Sequence, residues 1–130
     1  MTSEAEPAAS GGAERISEAE HAVMEVLWRK APQSAAGVCE ALCGPRGWSV
    51  ATVKTLLSRL VAKGALATRP DGRRFLYTPN LARAAYVEGE SKRLVDRLFG
   101  GKAAPLFAHL AEAEALTPDD IAEIERLLAE

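Results

Sequence analysis

Between Arg46 and Pro79 the chain reads RGWSVATVKTLLSRLVAKGALATRPDGRRFLYTP, and no other stretch limits the fold as tightly. Ser49 is a capping residue ahead of Val53, Leu56, Leu57, Leu60 and Val61, whose spacing predicts a helix from about Val50 to Lys63. Gly64 stops it. Two β-prone runs follow, Ala65–Arg69 and Arg74–Thr78, joined by Pro70-Asp71-Gly72, where glycine accepts the positive φ of a tight turn. An isolated hairpin of that length is marginal in water, so it must pack on helices, with Leu66, Phe75 and Tyr77 as its anchors.

The opposite face of that helix carries Ala51, Thr52, Lys54, Thr55, Ser58, Arg59 and Ala62, with no carboxylate among them. A merely solvated face mixes lysine with glutamate. The overall formal charge of −2 conceals a strong asymmetry: residues 46–74 hold seven basic residues and one acid, while residues 75–130 hold six basic and ten acidic. Arg69, Arg73 and Arg74 cluster near the hairpin tip. A cationic helix followed by a cationic hairpin is the signature of a winged helix-turn-helix that meets double-stranded DNA.

The remaining elements are helical. Ser17-Glu18-Ala19-Glu20 matches a capping box, Val23, Met24, Val26, Leu27 and Trp28 form the apolar face behind it, and Ala31-Pro32 ends that helix. A shorter helix opens near Ser34 and turns Ala35, Val38 and Leu42 inward. Gly44-Pro45-Arg46-Gly47 reads as a loop. Asn80 is placed to cap a long helix through about Phe99, with Leu81, Ala84, Val87, Ser91, Leu94, Val95 and Leu98 on one stripe, stopped by Gly100-Gly101. Further helices are expected over Ala104–Ala115 and from Thr117-Pro118-Asp119-Asp120 onward. These last three helices enclose their own apolar stripes poorly, which predicts a homodimer formed through Asn80–Glu130.

The expected fold is therefore mainly α with a small β-hairpin: a tail over 1–15, a winged-helix domain over 16–79 and a helical dimerisation region over 80–130. Acidic residues in MTSEAEPAASGGAER argue against a signal peptide, and no apolar run approaches the roughly 18 residues that span a bilayer, so a cytoplasmic location is expected. Cys39 and Cys43 stand four apart on one helix face. Their shared face leaves a metal or redox role open, but without a nearby histidine they make a poor zinc site and read as small, partly buried residues. His21 and His109 are too few and too far apart for a metal site. No nucleophile–base constellation or phosphate-cradling glycine loop points to an enzyme, and no cofactor or small-molecule ligand is implied.

ISEAEHAVMEVLW, SVATVKTLLSRLVAKGAL, GRRFLYTPN and LVDRLFGG, in that order and spacing, resemble the penicillinase-repressor family, which includes methicillin-resistance and copper-responsive repressors. The likeness runs from about Arg15 to Glu130. It implies a winged-helix domain, a helical dimerisation region and a dimer that blocks transcription from a palindromic operator. The family's Thr-x-(Arg/Lys)-Thr pattern falls on Thr52-Val53-Lys54-Thr55, which implies base contact by Thr52, Lys54 and Thr55. Arg59 matches the family's backbone-contacting arginine.

Chemistry adds Ser49, Lys63, Arg69, Arg73 and Arg74 as partners of the phosphate backbone. Leu94, Leu98, Phe107, Leu110, Ile121, Ile124 and Leu128 are the expected dimer contacts. Penicillinase members are released after a membrane sensor metalloprotease triggers cleavage of an Asn-Phe bond. The aligned pair here is His109-Leu110, a departure from the family's Asn-Phe. No cysteine follows Cys43, so the copper-binding motif of other members is missing. The competing reading is a winged-helix interaction or dimerisation module without sequence-specific DNA binding, which would expose apolar anchors on the same helix face.

Overall fold

The computed structural model describes residues 15–129. Helix α1 (Glu18–Arg29) opens on the expected capping box: the Glu20 N–H donates to Ser17 Oγ (3.1 Å) and the Ser17 N–H to Glu20 Oε1 (2.9 Å). A two-residue strand β1 (Gln33–Ser34) leads into α2 (Ala35–Arg46), capped by Ser34, and then α3 (Val50–Ala62), capped by Ser49. Strands β2 (Leu66–Asp71) and β3 (Arg74–Pro79) form the hairpin, and helices α4 (Arg83–Phe99), α5 (Ala104–Glu112) and α6 (Pro118–Leu128) follow.

Two compact units divide at Gly89/Glu90, within α4. In the first, Val23, Met24 and Leu27 of α1, Val38 of α2, Val53, Leu57 and Leu60 of α3, and Leu66 of β2 form one fully buried core. Each such side chain contributes about 1.5–3 kcal/mol by leaving water, so the three helices and the sheet hold one another. The Trp28 indole N–H donates to the Leu81 carbonyl (2.7 Å), fastening the chain after the hairpin back onto α1. In the second unit, no described residue is buried.

Several details differ from the sequence reading. The hairpin is part of a three-stranded antiparallel sheet, order β1-β3-β2, because Gln33 and Ser34 pair with Tyr77 and Leu76. Its loop is Gly72-Arg73, with Gly72 at φ 66°. Pro70 and Asp71 belong to β2, where they pair with Phe75 and Arg74. Gly44-Pro45-Arg46 continues α2 instead of forming a loop. The helix ends at Gly47 (φ 69°), where the Trp48 N–H reaches the Cys43 carbonyl (3.1 Å) and the Gly47 N–H that of Gly44 (3.4 Å). This closure satisfies two of the terminal carbonyls, those of Cys43 and Gly44.

Asn80 does not cap α4; its backbone N–H donates to the Ala65 carbonyl and its side-chain amide to that of Gly64. Leu81 accordingly lies ahead of the helix, buried in the core. Phe75 is 52% exposed, so Leu66 and the half-buried Tyr77 anchor the hairpin without it. Helix α5 stops at Glu112, short of Ala115. Cys39 and Cys43 are joined in a disulfide, Cα atoms 4.9 Å apart, where free thiols were expected. Their shared helix face makes the bond reachable, and the distance is within the usual disulfide range. The expected N-terminal tail over 1–15 lies outside the described part except for Arg15, whose carbonyl accepts from Lys63 Nζ (2.7 Å).

Candidate nucleic-acid interface

The outward face of α3 is the one its periodicity predicts. Ala51, Thr52, Lys54, Thr55, Ser58, Arg59 and Ala62 are all exposed, while Val53, Leu56, Leu57 and Leu60 are buried. Burial of one stripe fixes the helix's rotation, which leaves the carboxylate-free stripe facing solvent. At its N-terminus the Thr52 N–H donates to Ser49 Oγ (3.2 Å), and the Thr52 hydroxyl lies 3.3 Å from the same oxygen. The Thr55 hydroxyl donates to the Ala51 carbonyl (3.1 Å). Its proton is committed to the helix, so Thr55 presents a methyl group and acceptor lone pairs outward.

The hairpin brings its cations beside that face. Lys54, Arg73 and Arg74 line one cleft of about 370 Å³ together with Val50, Phe75 and Tyr77. Residues 20 positions apart in sequence thus share a surface, because β3 runs back alongside β2. Arg59 and Arg69 are exposed outside this cleft.

The seven cations of residues 46–74 are not equivalent. Arg46 pairs with Glu18 (3.1 Å) and lies 5.2 Å over the Trp48 ring, and its guanidinium holds the Glu18 carboxyl below the usual carboxylate range. Arg74 pairs with Asp71 (3.0 Å) at the wing tip. Lys63, expected on the phosphate-facing set, points inward: Nζ donates to Glu20 Oε1 (2.6 Å) and to the Arg15 carbonyl (2.7 Å). Burial pushes the Glu20 carboxyl up most strongly, but Lys63 and Ser17 together outweigh it and hold the group below its ordinary value. Among the described residues, Lys54, Arg59, Arg69 and Arg73 have no carboxylate partner.

Sequence reasoning missed Phe75 as a surface residue and missed the start of α2, since Ser34, Ala35 and Ala36 also line the cleft. Pairing of Phe75 with Pro70, one step from the turn, is the signal that it lies too near the tip to reach the core.

In the second unit, α5 and α6 flank an apolar groove of about 530 Å³ lined by Phe107, Ala111, Leu116, Ile121, Ile124 and Leu128. Leu98, Phe107, Ile121 and Leu128 are exposed, and Leu94, Leu110 and Ile124 are half-buried. His109 lies inside α5, its ring 5.6 Å from that of Phe99. Among the described residues no helix is long and apolar enough to cross a membrane, and no three metal-ligating side chains cluster.

A family model described as penicillinase repressor matches residues 16–130. The penicillinase repressor of Bacillus licheniformis is 34% identical over 116 residues, which cover 89% of this chain and 91% of that protein. The methicillin resistance regulatory protein MecI of Mammaliicoccus sciuri is 31% identical over 113 residues, 87% of this chain and 92% of that one. The solution structure of the DNA-binding domain of the repressor BlaI superposes with a TM-score of 0.51 at 40% identity, covering 55% of this chain and 88% of the domain. Fold, match length and identity agree: the chain belongs to the penicillinase repressor family, whose members are transcriptional regulators and not enzymes.

Proposed function

We propose that the chain is a transcriptional repressor that binds a two-fold symmetric DNA operator as a homodimer. One observation carries the reading: an exposed, carboxylate-free face of α3 beside four cations, Lys54, Arg59, Arg69 and Arg73, that no described carboxylate neutralises. In this reading α3 enters the major groove. Lys54 reaches guanine O6/N7, Thr52 offers a hydroxyl, and Thr55 packs its methyl against thymine. Ser49, Arg59, Arg69, Arg73 and Arg74 meet the phosphate backbone and set the register. Lys63 is left out, because its ammonium is already engaged.

One winged unit reads too few base pairs to discriminate among genomic sites, and dimerisation doubles the readout. The second unit supplies the means. Leu98, Phe107, Ile121 and Leu128 are exposed and Leu94, Leu110 and Ile124 only half-buried, an apolar surface that a second copy would cover.

Release by proteolysis is the finer part of the proposal. Proteolysis triggered by a membrane sensor metalloprotease would cut at His109–Leu110, which lies within α5, so local opening of that helix must precede cleavage. The mass of the chain recovered from induced host cells tests this, and an intact chain under full induction removes it.

A polarisation titration against the chain's own upstream DNA and against a mixed-sequence duplex, at several salt concentrations, tests the core reading. Sequence-selective binding with a steep salt dependence is the expected result. Exposed Val50 and Phe75 keep an interaction-module reading in play, since either side chain can anchor a protein partner. Absence of salt-sensitive binding to any duplex would favour it.

A further inference from the structure

We propose that Cys39 and Cys43 are a reversible thiol-oxidation site, taking a hydroperoxide as co-reactant, whose disulfide clamps the end of α2 and strengthens DNA binding by α3. The coupling to DNA rests on the function proposed above; the modification site itself does not.

The two sulfurs are bonded within α2, and both residues are half-buried, so solvent-borne oxidant and reductant have access to the pair. What the bridge holds is a turn of low helical preference. Residues Cys43–Arg46 include Gly44 and Pro45, the two poorest helix formers. The same turn positions α3. The Cys43 carbonyl accepts the Trp48 N–H (3.1 Å), Arg46 pairs with Glu18 and lies over Trp48, and Ser49 caps α3 one residue later. Cys43 thus carries both the bridging sulfur and the carbonyl that closes the α2–α3 turn. Fixing it to Cys39, one turn earlier, restrains a segment that has little helical preference of its own.

The chemistry balances. One thiol loses its proton, and its sulfur attacks a peroxide oxygen; the O–O bond breaks and, for hydrogen peroxide, the departing hydroxide takes up the proton as water. The second sulfur attacks the resulting sulfenic acid, forming the S–S bond and releasing a second water. Two thiols and one hydrogen peroxide give one disulfide and two waters. A dithiol reverses it by exchange, returning two electrons and two protons.

The test uses the full chain, reduced with dithiothreitol or oxidised with hydrogen peroxide and then desalted. Intact mass and thiol titration should show a two-hydrogen difference that cycles without dimers. Thermal denaturation should place the oxidised form at least about 4 °C above the reduced one. Oxidised chain should bind its upstream DNA about three- to tenfold more tightly, the range for a turn that is binding-competent a third to a tenth of the time when reduced. The Cys39→Ser, Cys43→Ser variant should match the reduced form and ignore peroxide. Over-oxidation to sulfinic acid, intermolecular bridging, or equal melting of the two forms would overturn the site. Equal DNA affinity at unequal melting temperature would overturn the coupling. Binding of no duplex in either state would sink the DNA-binding reading and the coupling together, leaving mass and melting to decide the site.

Discussion

Lys63, the C-cap of α3, donates from Nζ to a carboxylate oxygen of Glu20 (2.6 Å), whose side chain is only 2% exposed. The pair ties the end of the proposed recognition helix to the first turn of α1. Glu20 serves twice, since the same oxygen also accepts the Ser17 N–H of the capping box. Charge that the sequence places beside Arg59 is thereby withdrawn from the outer surface and committed to the fold.

Removing one partner of such a pair strands a buried charge. Lys63→Met is expected to destabilise the chain by about 2–4 kcal/mol, toward the low end of buried pairs because the lysine is partly exposed. Adding Glu20→Gln should restore part of the loss. Urea denaturation of the wild type, both single variants and the double variant measures the coupling. Additive losses would show that the pair is incidental.

The same carboxylate sets an acid limb. Glu20 is held below its ordinary value of 4.5, as are Glu18, through Arg46, and Glu25, through Arg83. A depressed folded-state value means that the folded chain binds fewer protons than the unfolded one. The stabilisation is therefore present above pH 4.5 and is lost as pH falls through the folded values. Circular dichroism melts between pH 3 and 7 should show this decline, and Glu20→Gln should make it shallower.

Arg59, Arg69 and Arg73, the phosphate-directed arginines without a described carboxylate partner, make six in a dimer. If each neutralises one phosphate, log affinity should fall with log salt at a slope of about −5, or about three powers of ten between 50 and 200 mM. Arg73→Ala should reduce that slope more than Arg74→Ala, because Asp71 already pairs with Arg74. Lys54→Ala should cost about 1–3 kcal/mol on the operator and less on a mixed-sequence duplex. Equal loss on both would remove Lys54 from base reading.

Thr55 gives a sharper test of chemistry. Its proton goes to the Ala51 carbonyl, leaving the methyl as the outward feature. Thr55→Val keeps a methyl there and should bind the operator within about threefold of the wild type, while Thr55→Ala should lose more. A large loss from Thr55→Val would mean that the hydroxyl itself is read.

Phe107 and Ile121, both exposed, line the groove between α5 and α6. Phe107→Asp is expected to shift sedimentation from dimer to monomer. The melting of the winged unit should be retained, since its core draws nothing from those helices. Operator binding should weaken to that of a single half-site. A monomeric wild type would overturn the dimer proposal.

Much of the winged unit was legible because its signals are local. The capping box at Ser17, the buried stripe of α3, the stop at Gly64 and the turn glycine at Gly72 each follow from residues within a few positions of one another. The carboxylate-free face came with them, since a helix of fixed period that buries Val53, Leu56, Leu57 and Leu60 must expose Thr52, Lys54, Thr55 and Arg59. Other features depended on groups distant in sequence. Lys63 turns inward because Glu20 is there to meet it, 43 positions away. Gln33 and Ser34 become a strand because β3 offers an open edge, and Asn80 serves the α3–β2 junction because the hairpin returns beside Gly64.

Sequence by itself therefore determined the order of the helices, that a hairpin turns at Gly72 and which side of α3 carries no acid, because backbone preference and amphipathic period act over a few residues. Tertiary structure alone decided which of the seven cations have carboxylate partners, that Lys54 and Arg73 share one cleft, and that Cys39 and Cys43 are bonded. Those outcomes turn on ångström-scale distances between side chains, which are set only once the core of α1, α2, α3 and the sheet has closed.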